Sequence, residues 1–258
     1  PPPPPQVVAL QRPAVVMPAP RPDVTAFLAD EDEFEAEAEE AAEEAVEDTV
    51  VELISESTGN TVAPPQARVP MQVIVFTSQK GGSGKTTLCG QTAVAAELSG
   101  NGPIALVDCD PQGSLAEWWN ARELETPVFV NSSVEQLADH LEQLRMEGIK
   151  LVFIDTPPSV TDTIRAIVGH ADLVVIPTRP SPHDLRAVGA TLDIVDGLGK
   201  PLVFAVNAAT ARARITGDTA VALSQHGTVA PVTIHHRTDF ATSMIRGGTV
   251  MESKPDGK

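Results

Sequence analysis

An α/β fold, a doubly wound and mostly parallel sheet flanked by helices, is the class that this sequence predicts for residues 71–258. Three observations predict it. Five short aliphatic runs recur along the chain, each apolar throughout and not only at alternate positions, as in strands buried on both faces. Helix-like stretches separate the runs at the spacing of strand–helix–strand units. A glycine-rich loop leaves the first run and leads directly into a helical stretch.

Taken in order, Val73-Ile74-Val75-Phe76 is the first predicted strand, and residues 88–98 read as the helix after its loop. Ile104-Ala105-Leu106-Val107 is the second strand, and residues 134–146 carry a helical pattern. Leu151-Val152-Phe153-Ile154, Leu173-Val174-Val175-Ile176 and Leu202-Val203-Phe204-Ala205-Val206 complete the set, with a helix predicted over 187–197. The chain is 42% hydrophobic but only 3% aromatic, with no Tyr, so its core must be built from aliphatic side chains. No internal repeat is evident.

Residues 1–70 have another texture. Three arginines stand against 15 acidic residues there, so this quarter of the chain holds −12 of the formal charge of −17. It also has 12 of the 23 prolines. Twelve acids crowd between Asp30 and Asp48, where like charges repel and little apolar surface is available to fold around. We expect a disordered extension with at most one marginal Glu/Ala-rich helix between Phe34 and Ile54. Its simplest role is solubility; a docking segment or an autoinhibitor that mimics DNA would have the same composition.

Composition also excludes classes of function. Cys89 and Cys109 are too few for a disulfide scaffold or a four-thiolate metal site in one chain. No run approaches the roughly 18 apolar residues that span a membrane, and the first residues lack a secretory pattern. The cytoplasm is therefore the expected compartment, and a membrane is not an expected partner. The chain opens on Pro1, so a preceding segment is expected. His235 and His236 are adjacent and would point to opposite faces of a strand, a poor start for a metal site.

The chemistry begins at Gln79-Lys80-Gly81-Gly82-Ser83-Gly84-Lys85-Thr86-Thr87. Glycines let successive backbone N–H groups turn inward around phosphate oxygens, and the following helix aims its positive dipole end at them. Residues Gly81, Gly82, Ser83, Gly84, Lys85, Thr86 and Thr87 are the candidate phosphate contacts. Lys85 can reach the outer phosphates of ATP, and the Thr86 hydroxyl can ligate Mg²⁺. The usual pattern wants a glycine where this chain has Gln79, and it carries an extra lysine, Lys80.

That departure is informative, because Lys80–Thr87 resembles the deviant Walker A motif of the ParA/MinD group of dimerising P-loop ATPases. The resemblance implies a homodimer formed on ATP binding, with Lys80 reaching the nucleotide held by the partner. The segment Asp108-Cys109-Asp110-Pro111-Gln112-Gly113 looks like the ParA branch in particular. Two carboxylates at i and i+2 leave an extended chain on one side, and at a strand's carboxyl end they would face the triphosphate and its metal. By resemblance, Asp110 positions the attacking water, and Asp108 supports metal or water. Placement of water suits phosphoryl transfer, where charge stabilisation and geometry do most of the catalysis. Cys109 between them reads as a small buried residue.

Phe153-Ile154-Asp155-Thr156-Pro157-Pro158 puts Asp155 at the Walker B position, a metal-holding carboxylate at a strand end. The stretch 176–185 and Val206-Asn207-Ala208 also resemble the family. Asn207 is a candidate for the adenine edge, since its amide both donates and accepts.

By the same resemblance, the ATP-bound dimer binds DNA nonspecifically over the nucleoid, and a ParB-like protein or cargo adaptor stimulates slow hydrolysis. The candidate DNA contacts are Arg212, Arg214, Arg237 and Arg246, which would touch phosphates without reading bases. The family continues past Gly248-Thr249-Val250-Met251-Glu252 with a further helix, so a truncated carboxyl end is expected. The expected activity is that of an ATPase that positions plasmid, chromosome or other cargo. A Min-like membrane regulator and an ATP-gated scaffold without turnover are the alternatives.

Overall fold

The computed structural model describes residues 70–159 and 162–253; the expected acidic extension therefore falls outside the described residues except for Pro70. Seven strands form one parallel sheet: β1 (Gln72–Phe76), β2 (Ile104–Asp108), β3 (Val128–Asn131), β4 (Leu151–Asp155), β5 (Leu173–Thr178), β6 (Leu202–Val206) and β7 (Thr228–Val229). Their order across the sheet is β3-β2-β4-β1-β5-β6-β7. The five aliphatic runs are β1, β2, β4, β5 and β6. The expected count of five was short by the two edge strands, which have only four and two residues and bury one side chain between them. β3 carries only the three-residue apolar run Val128-Phe129-Val130, shorter than the runs that mark the central strands, and β7 carries none.

Parallel neighbours require a crossover, supplied here by helices α1 (Lys85–Leu98), α2 (Ser114–Asn120), α3 (Val134–Met146), α4 (Asp162–Gly169), α5 (Pro182–Gly197) and α6 (Arg214–Ser224). Two core layers sandwich the sheet. Val73, Val75, Val107, Val152, Ile154 and Phe204 face one layer, where Leu137, Leu141, Ile164 and Leu192 of α3, α4 and α5 meet them. Phe76, Ile104, Leu106 and Phe153 face the other, against Leu88 and Val94 of α1 and Leu115 and Trp118 of α2. Within each strand successive residues thus go to opposite layers, which is why the runs are continuously apolar.

The register positions the functional site. Phe76 and Asp108 both lie opposite Asp155, so β1, β4 and β2 end at one level. From that level β1 and β2 send the chain to the α1/α2 layer, whereas β4 sends it to the α4 layer. Strands that part in this way open a crevice at their carboxyl ends.

The end of the described chain, α7 (Thr238–Ile245) and α8 (Val250–Ser253), is fastened to the α1/α2 layer through polar contacts. Arg122, just beyond α2, has a side chain only 2% exposed and meets Glu252 at 2.7 Å. Its guanidinium also donates to the carbonyls of Gly247 at 2.8 Å and Thr126 at 3.0 Å, and it lies 5.0 Å from the Trp118 ring centroid. The Trp118 indole donates to the Gly248 carbonyl at 3.0 Å, and Gln91 of α1 accepts from the Val250 N–H at 3.0 Å. Gly247 adopts φ +70°, and a Cβ there would sit 2.2 Å from the Arg122 nitrogen, so only glycine fits this crossing.

Candidate nucleotide site

In the loop between β1 and α1 the Gln79 and Lys80 N–H groups are taken by the hydroxyls of Thr191 and Ser78, at 3.4 and 3.3 Å, and it is the start of α1 that lies open. Gly84, the N-cap of α1, has φ 95° and offers no side-chain cap, and the first turn contains no acidic residue. The first N–H groups of a 14-residue helix and its positive end are therefore open to an anion. Behind the loop, the Asn207 amide donates to the Ser83 carbonyl at 2.8 Å. A Cβ on Gly84 would come within 2.2 Å of that amide nitrogen. Asn207 thus grips the phosphate loop from the end of β6, a contact that the adenine reading did not foresee. The Ser83 and Thr77 hydroxyls are buried without a hydrogen-bond partner. Gly81, Gly82 and Lys80 are exposed at the mouth of the loop, and Thr87 is half-buried in the first turn.

Lys85 is buried at the base of the loop. Desolvation lowers its pKa, partly opposed by the carboxylates of Asp155 and Asp110. Asp155, fully buried at the end of β4, accepts from the Thr86 hydroxyl at 2.6 Å and from the Thr156 N–H at 3.1 Å. Its burial pushes its pKa up to about 7; Thr86 and Lys85 oppose the rise, while Asp108 and Asp110 add to it. Lys85, Thr86, Asp110 and Asp155 are thereby brought into one electrostatic cluster.

The two carboxylates of the Asp-x-Asp segment are used differently. The chain turns after Asp108 and does not continue as a strand. Asp108 faces inward and accepts from the Asp110 and Ala116 N–H groups, both at 3.0 Å. Asp110 is half-buried, and its Oδ1 accepts from the Gln112 N–H at 2.9 Å. Cys109 is buried, and desolvation raises its pKa to about 12, so its thiol is inert near neutrality. A cavity of about 680 Å³ opens beside Asp110, among the loops that follow β2, β3 and β4; Asn131, Ser132, Glu135 and Pro157 help to line it. It was not legible in the sequence because β3 was not.

Residues 71–251 match the family described as VirC1 protein. The chain belongs to that family. This VirC1-family chain is 28% identical over 193 residues to the maintenance of carboxysome distribution protein A of Halothiobacillus neapolitanus, covering 69% of this chain and 86% of that one. It is 31% identical over 128 residues to the protein ParA of Rhizobium radiobacter, covering 48% of this chain and 56% of the relative. Its fold is that of the septum site-determining protein MinD of Pyrococcus horikoshii, solved with Mg-ADP, with a TM-score of 0.61, 15% identity, and coverage of 72% and 90%. Its fold is thus that of the ParA/MinD P-loop proteins.

The donor set of this VirC1-family chain fits a magnesium nucleotide. Among the described residues no three His, Cys, Asp or Glu side chains converge on a metal position. Mg²⁺ suits such a site, since it is commonly held by one or two protein groups together with substrate phosphates. Thr86 and Asp155, already in contact, are the groups that would hold it.

The four candidate DNA arginines are all exposed. Arg212 precedes α6, and Arg214 opens it, with Nε 3.6 Å from Asp218. A bridge between Ala209 and His235 brings the loop after β6 beside the approach to α7. Arg237 and Arg246 are the two caps of α7, one at each end. Among the described residues no helix is long and apolar enough to cross a membrane.

The raised pKa of Asp155 makes a prediction of definite sign. A carboxyl group whose folded pKa exceeds its unfolded value binds more protons when folded, so stability falls as pH rises between about 4 and 7. Asp155→Asn removes this ionisation. The apo variant should melt above wild type at pH 8, and the gap should close by pH 5, as read by thermal denaturation. An equal gap at both pH values would show that Asp155 is not the titrating group.

Proposed function

We propose that this chain is an ATP-driven positioning switch: it binds ATP and Mg²⁺ at Gly81–Thr87, dimerises, and binds DNA nonspecifically in that state. The cargo is a plasmid, a chromosome or another large body, and a ParB-like or adaptor protein accelerates a slow hydrolysis. Residues 71–258 form the ATPase domain, and residues 1–70 are an acidic extension of it. The observation that carries the reading is the Thr86–Asp155 hydrogen bond, 2.6 Å long, beside buried Lys85 and the uncapped start of α1.

In this reading the loop N–H groups and Lys85 bind the β- and γ-phosphates and neutralise charge as it shifts toward the leaving oxygen. Bound Mg²⁺ supplies further charge neutralisation across the phosphates. Asp110 orients the water that attacks the γ-phosphate, and the burial around Asp155 and Lys85 excludes bulk solvent. Asn207 fixes the loop by donating its side-chain N–H to the Ser83 carbonyl, and its side-chain oxygen accepts from the adenine amino group. Lys80, exposed at the loop's mouth, completes the partner's site. Arg212, Arg214, Arg237 and Arg246 contact DNA phosphates, and dimerisation doubles these weak contacts into a usable affinity.

The test is retention on nonspecific DNA with ATP, with ADP and without nucleotide, across a salt series. Retention only with ATP, falling steeply with salt, is expected. Lys80→Ala should bind ATP yet remain monomeric by light scattering and lose retention. Equal retention in every nucleotide state would overturn the gated reading. Absence of retention in every state, also after removal of residues 1–66, would overturn DNA as the partner.

A further inference from the structure

We infer that Asp108 is a positioning residue, whose carboxylate holds the loop bearing Asp110 in place and takes no part in binding the metal. The inference rests on the proposed ATPase reading and deepens it. Asp108 ends β2, between β3 and β4, and has no solvent exposure. Each of its oxygens is engaged by main chain: Oδ1 by the Asp110 N–H and Oδ2 by the Ala116 N–H, both at 3.0 Å. These bonds pin the two ends of the segment 110–116.

The segment needs such a clamp. Gly113, the N-cap of α2, has φ 65° and no side chain with which to satisfy the first N–H groups of the helix. Asp108 supplies the missing acceptor from the neighbouring strand, as an N-cap side chain would. Between the pinned ends, the Asp110 carbonyl accepts from Gly113 at 2.9 Å and its Oδ1 accepts from Gln112 at 2.9 Å. The main chain of Asp110 is thus tied to Asp108, and its carboxylate is aimed by the turn that Asp108 closes.

Asp155 offers the contrast. It too is buried with both oxygens engaged, but its Oδ2 partner is the Thr86 hydroxyl, which can rotate away. The Ala116 N–H is fixed in direction by the first turn of α2, has no acceptor within the helix, and cannot rotate away as a hydroxyl can. Burial raises the pKa of Asp108, and the N–H groups of Asp110, Ala116 and Leu115 act against that rise, as expected of a carboxylate used as an internal acceptor.

The experiment compares wild type with Asp108→Ala, Asp108→Asn and Asp155→Ala. Three quantities are measured in the full chain: the affinity for a fluorescent ATP analogue, the Mg²⁺ concentration at half-maximal binding, and the basal turnover rate. Asp108→Ala should lower turnover by about 10- to 100-fold, the usual effect of misplacing a reacting group by an ångström or less. Its analogue affinity and Mg²⁺ midpoint should stay within about twofold of wild type, whereas Asp155→Ala should raise the midpoint about tenfold or more. Asp108→Asn keeps one acceptor but turns an amide toward a backbone N–H, so its turnover should fall between the two. If the alanine variant does not fold, the asparagine variant is read by the same criteria. A Mg²⁺ midpoint shifted as in Asp155→Ala, or turnover within twofold of wild type, overturns the inference. Failure of the wild-type chain itself to bind the analogue would instead overturn the ATPase reading.

Discussion

Replacing Lys85 with alanine should weaken ATP binding by about 100-fold or more, which titration calorimetry would read as the loss of a measurable isotherm. Charge-assisted hydrogen bonds contribute about 1.5–3 kcal/mol each, and more where water is excluded. Lys85 is already buried, so the cost of its desolvation is met during folding and not at each binding event. Its charge is held beside Asp155 and Asp110, and nucleotide phosphates would join an arrangement already short of positive charge. The alanine variant would leave these two carboxylates facing the phosphates with only main-chain donors between them. Its apo stability should change little, because the cost of burying the ammonium offsets its attraction to the two carboxylates. Wild-type affinity in this variant would overturn the assignment of the loop.

Gly82, Gly84, Lys85 and Thr86 are legible in the sequence because their chemistry is local: the loop, the helix start and the phosphate contacts lie within nine consecutive residues. The central strands are legible for a related reason, since burial on both faces makes each run apolar throughout. Contacts between distant segments are not written this way. Asn207 reads as a polar strand end, and nothing near it announces that its amide will hold the Ser83 carbonyl, 124 residues away. Asp108 and Asp110 look equivalent on an extended chain; they differ because the chain turns at Pro111 and Gln112, just after Asp110, and the α2 N-terminus needs an acceptor. Lys80 shows the opposite limit. Its sequence signal is specific, yet within one chain it is exposed, and the role implied for it requires a second copy.

Arg122 is the residue least legible of all, and its replacement by alanine should have the largest effect on stability. In sequence it is one arginine between Ala121 and Glu123, with no feature to separate it from a surface residue. In the fold its side chain is 2% exposed and holds Glu252, 130 residues away, through two hydrogen bonds of 2.7 and 3.1 Å. Breaking a fully buried pair by removing one partner typically costs about 3–5 kcal/mol; Glu252, with its side chain 20% exposed and Thr249 still donating to it, sets this pair at the low end of that range. Here the carbonyls of Gly247 and Thr126 also lose their donor, and Trp118 loses the cation over its ring. For a domain of this size the melting temperature should fall by on the order of 10 °C. The pH dependence tests the origin of the loss. Burial acts to raise the pKa of Glu252, but Arg122 and Thr249 outweigh it and hold the group below its usual range. A depressed carboxyl contributes stability above its unfolded pKa, near 4.5, and loses it as pH falls through the folded value. The deficit of Glu252→Gln relative to wild type should therefore be full at pH 7 and shrink below about pH 4. A deficit that persists unchanged in acid would assign the stability to packing around Trp118 and not to the ion pair.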